Sequence, residues 1–132
     1  MSGPSHPSPK TLHQKLRAAQ DAIAAGHLSA VDPGRHIVAD MEELGIADET
    51  TYWALLPRLI EAALLAGPST SYAGTRPPRK STKHPAIQNL ELWAFKVRLP
   101  EFPFPLYFKF ALKPHPKTGA IHCFHIDCHP DR

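Results

Sequence analysis

The chain has 132 residues and 14.6 kDa, the size of one domain with one ordinary hydrophobic core, and its 42% hydrophobic and 20% charged residues suit a water-facing globular protein. Its longest apolar stretch, Trp53 to Ala66, is broken by Arg58 and Glu61 and falls short of the roughly 18 residues of a membrane span. The formal net charge of +3 hides an uneven division: residues 1–66 carry five Lys+Arg against eight Asp+Glu, and residues 67–132 carry ten against four, so a polyanion is the first partner to consider.

In chain order, residues 1–9 are Ser-, Pro- and His-rich and read as a flexible tail with no secretory signal. A single domain is expected over residues 10–128, with helices in 10–67, a basic loop in 68–88 and strands in 91–127. The first helix begins at Lys10, with Leu12, Leu16, Ala19 and Ile23 on one face and Gly26 as its stop. Asp32 and Pro33 read as N-cap and first-turn proline of a second helix with Ile37, Val38, Met41 and Leu44 as its stripe. Asp48 caps a third, with Tyr52, Leu55, Leu56, Leu59, Ile60, Ala63 and Leu64 facing inward, which Pro57 is expected to kink or split.

The loop 68–88 has few apolar groups and carries Arg76, Arg79, Lys80, Lys83 and His84; loops of this length inside a domain are usually functional or disordered. After it the period becomes two. Trp93, Phe95, Val97 and Leu99 alternate with Ala94, Lys96 and Arg98; Leu106, Phe108, Phe110 and Leu112 alternate with Tyr107, Lys109 and Lys113; His122, Phe124 and Ile126 alternate with Ile121, Cys123, His125 and Asp127. Short proline-bearing connectors suit an antiparallel meander with the aromatic face on the helices and residues 128–130 as a frayed end. The fold class is α+β: N-terminal helices packed on one face of a C-terminal antiparallel sheet. Cys123 and Cys128 are badly spaced for a bridge, so reduced thiols in an intracellular protein are expected.

On this pattern Lys96, Arg98, Tyr107, Lys109, Lys113, Cys123 and His125 share the outer face, bordered by the basic loop. RNA phosphodiester cleavage requires a base for the 2′-hydroxyl, an acid for the leaving 5′-oxygen and cations for the phosphate. An imidazole such as that of His125 suits proton transfer near neutrality, Tyr107 and Lys109 are neighbours at i, i+2, and Lys96 or Arg98 can hold the phosphate.

Five segments carry a family resemblance: a leading helix, ADMEELGI (Ala39–Ile46), LWAFKV (Leu92–Val97), LYFKFAL (Leu106–Leu112) and IHCFHID (Ile121–Asp127). In order and spacing the chain resembles the MqsR family of RelE-like toxin ribonucleases, the mRNA interferases of bacterial toxin–antitoxin systems. The resemblance implies a metal-independent endoribonuclease toxin that takes mRNA, needs no cofactor and has a cognate antitoxin. It implies catalytic roles for Tyr107, Lys109 and His125, with His125 standing where the family has lysine; phosphate contacts by Lys96, Arg98, Lys113, Arg76, Arg79, Lys80 and Lys83 are expected from the basic strand face and loop themselves. The family's strand glutamine corresponds to Ala94, and its lysine near the end of the third helix to Ala66–Gly67, so a loop cation would have to replace the latter.

Other readings stay open beside this one. The same scaffold could be a non-catalytic RNA- or protein-binding module. His115, His122, Cys123, His125, Cys128 and His129 include the donor types of a zinc site, but without paired C-x₂-C and H-x₃-H spacing, and no metal is expected. Cys123 and His125 are too far apart at i, i+2 for a nucleophile–base pair. The helix–Gly45–helix segment is crowded by Asp40, Glu42, Glu43, Asp48 and Glu49, which would repel a DNA backbone. No P-loop or nucleophile elbow is present.

Overall fold

Ser8 sets the first helix: its hydroxyl accepts a hydrogen bond from Thr11 N at 3.1 Å, and Pro9 occupies the first turn, where no amide hydrogen is needed. This helix, α1 (Pro9–Ala24), buries Leu12, Leu16, Ala19 and Ala22. The computed structural model describes residues 7–32 and 35–131, with the side chains of Arg35 and His36 left aside. The remaining elements are β1 (Leu28–Ala30), α2 (Arg35–Leu44), α3 (Glu49–Ala66), α4 (Pro68–Ser71), a 3₁₀ turn (Pro85–Ile87), β2 (Trp93–Val97), β3 (Leu106–Pro114) and β4 (Ile121–Pro130). The expected tail over residues 1–9 lies mostly outside the described residues, as does Pro33 of the expected second N-cap.

The fold class is α+β, and the sheet has four strands in the order β1-β4-β3-β2. β1, not foreseen in the sequence, pairs in parallel with β4, so the sheet is mixed rather than a purely antiparallel meander. One face carries the main core. Leu12 and Leu16 of α1 and Tyr52, Leu59 and Ile60 of α3 meet Phe95, Leu106, Phe108 and Phe110 of the sheet.

In α2, Val38 is 55% exposed and Asp40 is buried in its stead. Ile37, Asp40, Met41 and Leu44 make the inward i, i+3, i+4, i+7 stripe, and Val38 falls off it by about one residue's rotation. Asp48 caps α3 through Thr51 N at 2.8 Å, and α3 runs unbroken through Pro57. The proline is exposed, where the carbonyl it leaves over can bond to water. The loop 68–88 is more ordered than its composition suggests. Tyr72 bridges to Phe95 and Lys80 to Glu91, and Ile87 is fully buried on the outer face of the sheet with Ala111 and Ile126.

The largest departure concerns β4. The sequence pattern placed His122, Phe124 and Ile126 inward and Cys123, His125 and Asp127 outward. The register pairs Phe110 with His125 and Leu112 with Cys123, so Cys123 and His125 join the core. An irregularity between Lys109 and Phe110 leaves Ile126 as an extra residue on β4, and beyond it Lys109 faces Asp127 and Tyr107 faces His129. His122, expected in the buried face, lies on the outer one with its Nε2 2.8 Å from Ser29 Oγ; partial burial, then the neighbouring His27, lowers its pKa. Residues 128–130, expected to fray, belong to the strand, and Cys128 is buried.

Candidate functional site

The outer face of the sheet is divided. One part is roofed by the loop, with Ile87, Ala111 and Ile126 buried and Val31, Leu90, Leu92 and Phe124 packed around them. The other part lies outside this roof and holds the exposed Lys96 with the half-buried Tyr107, Lys109, Asp127 and His129 on adjacent strands. Here the cross-strand register does the assembling: Tyr107 sits opposite His129 with ring centroids 5.1 Å apart and planes 19° apart, and Lys109 sits opposite Asp127.

The carboxylate of Asp127 is the hinge of this group. Its Oδ2 lies 3.9 Å from Lys109 Nζ and 3.9 Å from His129 Nε2, while its Oδ1 is buried with no hydrogen-bond partner. The other imidazole nitrogen, Nδ1, lies 2.9 Å from the Pro130 carbonyl oxygen. A carbonyl can only accept, so Nδ1 carries the hydrogen and, in the neutral ring, Nε2 keeps its lone pair. Tyr107 has its pKa raised, first by burial and next by the Asp127 charge, with Arg79 pulling the other way. Its phenol therefore keeps its proton at neutral pH and serves as a donor.

Arg79 reaches this group from the loop. A cavity of about 150 Å³ is lined by Arg79, Tyr107, Lys109, Leu92, Ala94 and the chain from Ala73 to Thr75. Gly74 at its rim has no room for a side chain: a Cβ there would come within 2.6 Å of Tyr72 Oη, which donates to the Thr75 carbonyl. The ring of Tyr72 in turn lies 5.1 Å beneath the Arg76 guanidinium.

The residues named from sequence therefore divide into groups. Tyr107, Lys109 and Arg79 line one cavity. Lys96 is on the same face opposite Tyr107, with Nζ 3.3 Å from Asp131 Oδ2. Lys80 and Lys83 line a neighbouring cavity with Arg79 and Lys109. Arg98 is exposed past the end of β2, and Lys113 donates to the Ala86 carbonyl at 3.1 Å, beyond the roofed part.

His125 is not on this face. It is 1% exposed in the core, its Nε2 2.6 Å from Tyr52 Oη and its ring edge-on to Trp53. Tyr52 Oη donates to Asp40 Oδ2 at 2.9 Å, and the same oxygen accepts from Cys128 N at 2.8 Å. With the hydroxyl hydrogen committed to Asp40, His125 Nε2 is the donor to Tyr52. Burial raises the Asp40 pKa against the opposing pull of these two hydrogen bonds. Cys123 shares this core, and burial pushes its thiol up to about 12. Both cysteines are free thiols. Among the described residues no three His, Cys, Asp or Glu side chains group as metal ligands.

His129 and Asp127 were the site residues missed from sequence. Their i, i+2 spacing matches that of Tyr107 and Lys109 on the facing strand, a signal usable only once the register is known. Among the described residues, no helix is long and apolar enough to cross a membrane. No protein-family model, no curated protein and no solved structure gives a significant match to the chain.

Proposed function

We propose that the unroofed part of the outer sheet face binds single-stranded RNA and cleaves it, as in the RelE-like toxin ribonucleases of the MqsR family that the sequence resembles. The observation that carries this reading is the meeting of Tyr107, Lys109 and Arg79 around one cavity, with His129 stacked on Tyr107 and Asp127 set between Lys109 and His129. His129 Nε2 takes the proton of the 2′-hydroxyl, and the freed oxygen attacks phosphorus. The bond from phosphorus to the 5′-oxygen breaks, and the Tyr107 phenol hands a proton to that leaving oxygen. The products are a 2′,3′-cyclic phosphate and a 5′-hydroxyl end. Lys109 and Arg79 hold the phosphate and offset the charge that grows on it. Asp127 Oδ2 stabilises the imidazolium formed.

His129 thus takes the role first assigned to His125. Arg79 stands in for the family's helical lysine, which explains how a chain with Ala66–Gly67 at that point could retain a second cation. An mRNA substrate, a cognate antitoxin and a bacterial cytoplasmic setting follow from the resemblance and belong to the same proposal. A non-catalytic RNA-binding module is the second reading. It is favoured by Ala94, an apolar residue opposite Lys109 where the resembled family has glutamine.

The experiment is incubation of the purified protein with end-labelled single-stranded RNA, with His129→Ala and Tyr107→Phe alongside. Cleavage by the wild type that both substitutions depress supports the nuclease. Salt-sensitive RNA binding without cleavage supports the binding module.

A further inference from the structure

The cavity holding Tyr107 has a neighbour that the cleavage chemistry leaves unused. This second cavity, about 180 Å³, is lined by Arg79, Lys80, Lys83 and Lys109 over a floor that includes Leu92 and Ile126. Arg79, Leu92 and Lys109 line both, so the two are contiguous. No carboxylate is among the described residues lining the second, whereas the first lies beside Asp127. The loop presenting these cations is held by backbone pairing: Leu92 N donates to Arg79 O at 2.8 Å, Ser81 N to Leu90 O at 2.9 Å and Asn89 N to Ser81 O at 2.9 Å. Ile87 pins its far end to the sheet. The backbone that carries these charges is thus a fixed ledge, and the ordering left to be done on binding is that of the exposed Lys80 and Lys83 side chains.

We infer that this cavity is a second nucleotide subsite, where Lys80 and Lys83 take the phosphate next to the scissile one and the half-buried Leu92 takes the apolar face of its base. The inference rests on the proposed RNA-cleaving site and adds to it a minimum substrate: a strand with a phosphate on at least one side of the cleaved bond. Arg79 and Lys109 lie between the two cavities and serve both phosphates, which sets the two subsites one nucleotide apart. The apolar floor gives base contact without hydrogen-bond readout, so affinity here depends on strand length more than on sequence.

The test uses 2′-O-methyl oligonucleotides, which lack the attacking hydroxyl, so that binding is read apart from cleavage. Dissociation constants are measured for a dinucleotide and for the same dinucleotide with an added 5′- or 3′-phosphate. For the wild type, one of the two phosphates tightens binding roughly tenfold, the equivalent of one charge-assisted contact. The Lys80→Ala/Lys83→Ala pair, both exposed positions, loses that gain. With a longer strand, the slope of log K against log salt becomes shallower by about 0.7 for each phosphate contact removed. Lys117→Ala, an exposed cation in the β3–β4 hairpin, keeps the gain. A wild type that binds the dinucleotide but gains nothing from either phosphate overturns the subsite and spares the cleavage site. A wild type that binds none of the three overturns both. Loss of the gain in Lys117→Ala to the same degree would reduce the effect to bulk charge and overturn the subsite.

Discussion

Two of the three histidines of β4, His125 and His129, lie four residues apart, and each belongs to a trio of the same three residue types. On the inner side, His125, Tyr52 and Asp40 form a chain of hydrogen bonds in the core. On the outer side, His129 stands 3.9 Å from Asp127 and stacks on Tyr107, which lines a cationic cavity. The inner trio is hydrogen-bonded throughout: His125 Nε2 donates to Tyr52 Oη, Tyr52 Oη to Asp40 Oδ2, and the same oxygen accepts from Cys128 N. The outer trio leaves His129 Nε2 with a lone pair and Asp127 Oδ1 without a partner. Identical side-chain chemistry thus becomes structural in one place and available for reaction in the other, and burial and hydrogen-bond completion make the difference. The two are also linked, because Asp40 accepts from the backbone of Cys128, the residue between Asp127 and His129.

The contrast can be broken from either side. The largest expected effect is on catalysis: His129→Ala lowers RNA cleavage by about 10²–10⁴-fold, the usual worth of a proton-transfer group, with only a small fall in thermal midpoint from the lost stacking on Tyr107. His125→Gln does the opposite, lowering the midpoint while the cleavage rate of the folded fraction stays within a few-fold. Parallel melting and cleavage assays check both. Next comes Tyr52→Phe, which leaves the buried His125 and Asp40 each short of a partner and costs about 1–3 kcal/mol in a denaturant titration. Tyr107→Phe, by contrast, alters stability little and cleavage strongly.

Asp40 sharpens the comparison through pH. Its folded-state pKa lies above the ordinary 3.8 because burial penalises the charged form. Its contribution is therefore fully present below that ordinary value and is lost as pH rises through the raised folded value. The stability of the wild type relative to Asp40→Asn is expected to increase on acidification across that window. Measured denaturation midpoints that keep a constant difference across it would remove Asp40 from the buried, proton-sensitive role. The smallest effects are at the thiols and the surface. Cys123 and Cys128, buried and held as thiols, should react with a disulfide reagent only as fast as the protein opens. Glu101, held at about 2 by its hydrogen bonds from Arg58, is an exposed surface group, and Glu101→Gln should change the midpoint barely at all.

How much of this was legible beforehand follows from which faces are polar. In β2 and β3 the alternation is unambiguous: Phe95, Phe108 and Phe110 against Lys96, Tyr107 and Lys109 allow one orientation, and Tyr107 and Lys109 are on the expected side. In β4 both faces are largely apolar, because Phe124 and Ile126 are covered by Ile87, Leu90 and Leu92 of a loop that reads as basic and irregular. With no wet face to mark the outside, the pattern could not choose between two orientations, and the extra residue at Ile126 reset it halfway along. The parallel β1 was too short, at Leu28–Ala30, to show a period. Arg79 could not be separated from Arg76, Lys80 and Lys83 by charge alone; its place beside Tyr107 and Lys109 comes from the Arg79–Leu92 backbone pairing, a long-range contact.

The most direct measurement compares His129→Ala with His125→Gln in the cleavage of a labelled single-stranded RNA, each at a temperature where circular dichroism shows it folded. Cleavage leaving cyclic-phosphate ends, lost in His129→Ala and retained in His125→Gln, is the expected result. Cleavage that survives His129→Ala at the wild-type rate would contradict the assignment of the chemistry to the outer face of β4.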